Sequence, residues 1–344
     1  MAVQIDRSRL ERNKQVTIQS ETVLHCQQLS KHYDEIIALD SLNLDIKQGE
    51  IFGFIGHNGA GKTTTIRILS GLLKPTSGSA SICGQDVTNQ RAIHRLVGYM
   101  PDSFGVYDQM RVWEYLDFFG AAFKIPRSKR LDRIEHVLDI SDATYMKDRF
   151  VDTLSKGMKQ RVGIARTLMH DPQVLLLDEP ASGLDPQARV EMRHLLRSLA
   201  DSGKTLLVSS HILPELAAVC DSVGIIHSGK LRAAGPLGTV LAEIQRERCM
   251  EIKVVEGKFE ASEIINANPA ASQIDVDDID LGIVRFRFDG DDEAVAELLL
   301  QVQEGGVKIA TLREIPLSLE DVYMAISGID TESPDDADDS GAER

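Results

Sequence analysis

Gly56-His57-Asn58-Gly59-Ala60-Gly61-Lys62-Thr63 fits G-x-x-x-x-G-K-[ST], and no other stretch of the chain narrows its possible folds so far. The motif requires a strand before it and a helix after it. Both are legible: the apolar run 51–55 precedes the loop and a helix-like segment, 62–73, follows it. Glycines let backbone N–H groups turn inward around phosphate oxygens, and the helix N-terminus adds its partial positive charge. Lys62 can reach terminal phosphates, and the hydroxyl of Thr63, with Thr64 beside it in the first helical turn, can ligate Mg²⁺. A chance glycine-rich turn would have neither flank. Alone, the loop implies a phosphate-binding protein and does not choose among a GTPase, a kinase and an ATP-driven motor.

A second apolar run, VLLLD at 174–178, ends in Asp178-Glu179. At a strand's carboxyl end, Asp178 is placed to hold a Mg²⁺ shell, and Glu179 can point at a γ-phosphate and polarise water. The other reading of this acid pair is a solvated turn before Pro180. After Asp178 come a helix from Pro186, the strand TLLVSS (205–210), a helix from Pro214 and the strand VGIIH (223–227), the order expected of a parallel sheet covered by helices. Strands are expected at 22–29 and 42–46. Residues 95–170 read as mostly helical, with apolar residues at three- and four-residue spacing in WEYLDFFGAAF and RLDRIEHVLDI and Pro126 between them.

Leu154-Ser155-Lys156-Gly157-Met158-Lys159-Gln160-Arg161 opens a helix, with Ser155 as N-cap and a glycine in the first turn where a ligand can approach the backbone. Here the chain resembles the ABC ATPases: LSKGMKQR is similar to their LSGGQ-type signature and lies 23 residues before Asp178. The resemblance covers roughly residues 22–240. It implies a P-loop NTPase cassette with a mixed β-subdomain, a parallel-sheet core and a helical subdomain. It also implies two cassettes, a homodimer or pseudo-dimer, closing head to tail so that each phosphate loop faces the other's Ser155 and Gly157 across ATP. Further positions match one at a time. Tyr33 stands where the family places an adenine-stacking aromatic. Ser182-Gly183-Leu184-Asp185-Pro186 resembles the loop through which cassettes sense each other, which makes Asp185 an interface residue. His211, in VSSHILPE, resembles the histidine that contacts the γ-phosphate; the other histidines have no such context. Asp102, in GYMPDSF, stands where the family usually has a glutamine reaching Mg²⁺ and the attacking water. The alternative for Asp102 is a cap of the turn after Pro101.

Charge locates a boundary. Of the net −15, residues 1–245 contribute +1, from 29 Lys and Arg against 28 Asp and Glu. Residues 246–329 hold 8 bases and 18 acids, and 330–344 hold 1 base and 7 acids, so a division near residue 245 is expected. A nucleic-acid partner is not expected, since neither segment carries a basic run with interleaved aromatics. The tail segment reads strand (250–255), helix (260–267), strand (272–277), strand (283–288), helix (291–303), strand (307–312), a βαββαβ order that suggests a ferredoxin-like α+β domain. The expected organisation is a flexible segment 1–20, a cassette 21–245 with its helical subdomain at about 95–170, an accessory domain 248–328 and an acidic disordered tail 329–344.

No apolar run suffices to cross a bilayer, so the resemblance implies separate transmembrane permease subunits. The charged start MAVQIDRSRLERNKQ lacks the apolar core of a secretory signal, which points to a chain kept in the cytoplasm, here peripheral on the cytoplasmic face of the plasma membrane. Cys26, Cys83, Cys220 and Cys249 form no CxxC pair and read as reduced thiols. The lysine of LSKGMKQR and the closing stretch PLSLEDVYMAISG are similar to ATPases of the prokaryotic drug, antibiotic, polysaccharide and sodium exporter branch. The rival is a soluble ABC-type ATPase acting mechanically on ribosomes or DNA. A ribosome-acting form would need two cassettes, and a DNA-repair form a long heptad-patterned insertion, whereas 92 residues lie between Lys62 and Ser155. A nucleotide sensor with little turnover is disfavoured by the presence of Lys62, Glu179 and His211 together.

Overall fold

Alternation of buried and exposed side chains builds the first sheet of the computed structural model, which describes residues 22–103, 105, 109–244, 248–275 and 282–315. Along β2 (Ile36–Lys47) the side chains of Leu42, Leu44 and Ile46 turn inward and those between them outward, the pattern of a half-buried strand. It pairs antiparallel with β1 (Thr22–Tyr33), Leu24 opposite Ile46 and Cys26 opposite Leu44. Burial, aided by the Asp45 charge, pushes the Cys26 thiol up to about 12, so it behaves as a small core hydrophobe.

The chain then enters β3 (Ile51–Ile55) and, after the glycine loop, α1 (Lys62–Leu69). A hairpin of β4 (Ser77–Ile82) and β5 (Gln85–Asp86) returns to the first sheet, whose order is β2-β1-β4-β5. Next come α2 (Gln90–Leu96), β6 (Val97–Met100), α3 (Val112–Ala122), α4 (Arg127–Ile140) and α5 (Lys156–Leu168). Alternation follows as far as β9, and two strands then precede the last helix: β7 (Val174–Asp178), α6 (Pro186–Asp201), β8 (Thr205–Ser210), α7 (Leu213–Ala217), β9 (Ser222–His227), β10 (Lys230–Pro236) and α8 (Leu237–Ile244). The second sheet has the order β10-β9-β3-β8-β7-β6. β6, β7 and β8 run parallel, and every residue of β7 is buried, as a central parallel strand requires. Burying each Leu or Ile there stabilises by roughly 1.5–3 kcal/mol.

The described residues pack as two compact units, one within Met1–Phe52, Gly61–Ser209 and Ser228–Lys230, the other within Gly53–Ala60, Ser210–His227 and Leu231–Arg344. In the second, β11 (Arg248–Glu256), α9 (Lys258–Ala267), β12 (Ala271–Asp275), β13 (Ile283–Phe288), α10 (Asp292–Glu304) and β14 (Lys308–Glu314) follow the expected βαββαβ order. Their sheet runs β12-β13-β11-β14, its described pairings all antiparallel. Met250, Ile252, Phe286, Phe288, Leu298 and Val302 fill a core made only of residues from this segment.

β3, β7 and β8 have the expected bounds. Three expectations need correction or refinement. The helix after the glycine loop stops at Leu69, not residue 73, because Gly71 takes φ +73° two residues on. The segment 95–170 is mostly helical, but the end of α2 and the strand β6 come before α3, α4 and α5. The helix from Pro214 starts at Leu213 and lasts only to Ala217. The short β4, β5, α2, β10 and α8 are too brief or too lightly patterned to read from periodicity. The expected segments 1–20 and 329–344, the stretch PLSLEDVYMAISG and the end of the strand 272–277 lie outside the described residues.

Candidate functional site

Every residue of β3 is buried, so the chain leaves it rigidly held and must turn at once. Gly56 makes that turn: a Cβ on it would come within 2.5 Å of the Ile226 carbonyl oxygen, a distance no side chain tolerates. Its N–H donates to Ser210 O at 3.4 Å, and the Ala60 N–H closes the loop by donating to His57 O at 3.1 Å. The His57 Nδ1 lies 2.6 Å from Asn58 O, and the ring meets that of His227 at 5.4 Å. His57, Asn58 and Gly59 are exposed, Ala60 buried. His211, exposed, follows β8 directly.

In the first unit, Gly61 caps α1 from the left-handed region at φ +115°. No side chain caps this helix from Gly61, and a helix N-terminus of this kind suits an anion. Lys62, the first helical residue, is buried and its Nζ lies 3.3 Å from Glu179 Oε1. Thr63, exposed, donates its hydroxyl to Asp178 Oδ2 at 2.9 Å. Thr64 is half-buried beside it.

Asp178 is 2% exposed, a costly place for a carboxylate without donors. One donor comes from β8: Ser209, in register with Asp178, gives its hydroxyl to Asp178 Oδ1 at 2.7 Å. The same Ser209 oxygen accepts the Glu179 N–H at 3.0 Å. Glu179 itself sits at φ +52°, a conformation that costs a non-glycine residue about 1–3 kcal/mol and that clusters at functional sites. The strain turns the chain sharply after β7, so that two adjacent acids point differently, one to Thr63 and one to Lys62. Ser209 is absent from the sequence-derived set; its only signal is a serine pair closing an otherwise apolar strand.

The Thr63 hydroxyl and the Asp178 carboxylate offer two hard oxygens side by side. Among the described residues no cluster of three or more His, Cys, Asp or Glu could hold a metal by itself. That donor set fits Mg²⁺, which takes one or two protein oxygens and completes its shell with water and phosphate. Asp102 is exposed, two residues past the end of β6. Met100 is in register with Leu177, so the strand ends leading to Asp102 and to Asp178 are neighbours.

A second constellation lies on α5 and α6. Ser155 caps α5, accepting the Met158 N–H at 3.3 Å. Asp185 caps α6, accepting the Ala188 N–H at 3.0 Å, with Pro186 at the first helical position. Ser155, Gly157, Gly183 and Asp185 line one cleft of about 220 Å³. Tyr33, 43% exposed at the end of β1, carries the Lys31 ammonium 5.0 Å from its ring centroid.

The family described as ABC transporter matches residues 39–182. The bacitracin transport ATP-binding protein BcrA of Bacillus licheniformis is 35% identical over 317 residues, covering 89% of this chain and 98% of that protein. Nod factor export ATP-binding protein I of Ralstonia nicotianae is 33% identical over 314 residues, 90% of this chain and 95% of that one. Among solved structures, cbiO1 of Clostridium perfringens, part of the ABC transporter complex cbiONQ, superposes with a TM-score of 0.60 at 29% identity, covering 65% of this chain and 94% of that chain.

Proposed function

This chain belongs to the ABC transporter ATP-binding proteins, and we propose that it powers export through separate membrane subunits. It is an ATP-binding and ATP-hydrolysing subunit. Proteins of this kind work with membrane components, and no helix among the described residues is long and apolar enough to cross a bilayer. Export rests on the relatives matched along nearly their whole length, which are named for bacitracin transport and Nod factor export. The same full-length matches disfavour the soluble motor acting on ribosomes or DNA.

The observation that carries the mechanism is the convergence of the loop's end on the strand's end, Lys62 on Glu179 at 3.3 Å and Thr63 on Asp178 at 2.9 Å. Residues 56–64 cradle the ATP phosphates with backbone N–H groups, and Tyr33 stacks on adenine. Thr63 and Asp178 would hold Mg²⁺, with Asp102 facing it; bound there, the ion neutralises phosphate charge. Incoming phosphate oxygens compete with Glu179 for the Lys62 ammonium. Glu179, so released, orients the attacking water and accepts its proton, and His211 contacts the γ-phosphate. Ser155, Gly157 and Asp185 meet the ATP of a partner cassette in a head-to-tail homodimer or pseudo-dimer on the cytoplasmic face of the plasma membrane. Residues 21–245 form the cassette and 248–328 an accessory domain, whose βαββαβ order and strand order support a ferredoxin-like reading.

Glu179→Gln tests this. ATP affinity by titration calorimetry should persist while phosphate release slows by roughly 10² to 10⁴, the contribution of a general base. Sizing the variant with MgATP should give a dimer. Unchanged turnover removes Glu179 from the base role, and a monomer at saturating MgATP counts against the composite site.

A further inference from the structure

We infer that Arg161 is a positioning residue that holds the turn of Ser155 and Gly157 against the turn 182–185, so that a partner cassette meets one preformed surface. The inference rests on the composite-site reading above. Arg161 lies on α5, six residues beyond its cap Ser155, and its side chain is only 12% exposed. One nitrogen of its guanidinium, Nη1, donates to Ser141 O at 3.2 Å, Asp142 O at 3.3 Å and Asp142 Oδ2 at 2.8 Å. The other, Nη2, donates to Glu191 Oε2 at 2.7 Å. Glu191 is on α6, and its second oxygen accepts from Gln187 at 3.1 Å on the preceding turn. A single planar fork therefore ties the end of α4 and the start of α6 to the signature helix.

The two turns are close enough to need such a brace. A methyl on Gly157 would stand 3.6 Å from both Leu184 and Ala188, so a small rotation of α6 would reshape the cleft they share. Arg161 and Glu191 both line that cleft. Asp142 is held at φ +49°, a strained conformation that presents its carbonyl and its carboxylate to the same guanidinium nitrogen. Glu191 is 43% exposed and Asp142 81%, so the ion pairs are weak sources of stability; what the fork supplies is geometry. Lysine, a point charge on a flexible stem, cannot serve both directions at once.

The test uses the full chain in the Glu179→Gln background, with Arg161→Ala, Arg161→Lys and, as control, Arg130→Ala. That control removes the Arg130–Asp117 ion pair between α4 and α3, whose arginine is 16% exposed. Two quantities are measured: MgADP affinity of the single chain, which has no γ-phosphate to bridge, and the ATP concentration for half-maximal dimer by sizing. Both Arg161 variants should bind MgADP within about twofold of the parent and need roughly tenfold or more ATP to dimerise, a coupling ordinary for contacting residues. Arg130→Ala should dimerise as the parent does. Dimerisation of Arg161→Ala at the parent's ATP concentration overturns the inference, as does a shared loss of MgADP affinity or an equal effect of Arg130→Ala. Parent-like behaviour of Arg161→Lys overturns it too, since charge rather than the fork would then suffice. A parent that stays monomeric at saturating ATP overturns the composite-site reading and this inference with it.

Discussion

The Ser209 hydroxyl works in two directions, donating to Asp178 Oδ1 and accepting from the strained Glu179 amide, and it is fully buried. Replacing it by alanine removes that donor from a buried carboxylate oxygen and that acceptor from a half-buried N–H. Each such loss costs about 1–3 kcal/mol. Ser209→Ala should therefore lower kcat by about ten- to a hundredfold, at 1.4 kcal/mol per factor of ten, while MgADP affinity changes little because Lys62 and the glycine loop remain. Steady-state kinetics beside a calorimetric titration decides it; an unaltered kcat would mean that β7 alone orients the acids. Lys62, Thr63, Asp178 and Glu179 were legible because each stands at a fixed offset within a short local motif. Ser209 was not, since its role comes from strand register across 31 residues, and a serine on a buried strand end looks the same with or without an acid opposite. Asp102 shows the converse limit: its position is legible, but only the chain's path beyond β6 decides what it faces.

At the scale of elements, α5 is braced at both ends by arginines of different origin. Its last turn is closed by Arg133 of α4, which donates to the carbonyl oxygens of Leu168 and Met169 and reaches Asp171 Oδ1 at 3.3 Å. Lys204 donates to the same Asp171 oxygen at 2.8 Å. The Lys204 hydrogen bond, helped by the Lys204 and Arg133 charges, holds the Asp171 carboxyl below its ordinary value of 3.8. A carboxyl whose folded pKa lies below its unfolded one adds stability above 3.8, and that stability is lost as the pH falls through the folded value. Asp171→Asn should thus lower the melting temperature at neutral pH, with the gap from wild type shrinking below pH 3.8. Since Asp171 is 70% exposed, the neutral-pH gap should be small, and melting curves from pH 7 downward would refute a charge role if the gap stayed constant. None of this bracing was readable beforehand. The apolar periodicity of α4 and of β7 gave their existence and bounds within a few residues, yet polar partners 33 to 38 positions apart leave no periodic trace.

For the whole molecule, charge and element order together suggest a division near residue 245, because an acidic βαββαβ segment follows a neutral one ending in alternating strands and helices, whereas the compact units group Leu231–Arg344 with Gly53–Ala60 and Ser210–His227. What charge and element order could not give was strand order, which depends on which edges meet in three dimensions. The segment 248–315 closes its own core, with Met250 and Ile252 of β11, Phe286 and Phe288 of β13 and Leu298 and Val302 of α10 packed on one another. Its other sheet face is set by charge: Glu251, 6% exposed, takes Arg285 at 3.0 Å and Arg313 at 2.6 Å. Neither cluster contains a residue of the glycine loop, of β7's acidic end or of the Ser155 turn. A chain ending after residue 245 should therefore lose only the far-UV signal of α9, α10 and their sheet and bind MgATP with affinity within about threefold of full length, a change of less than 1.4 kcal/mol. Loss of all nucleotide binding, in a truncated chain that still melts cooperatively, would mean that the site extends into the C-terminal segment.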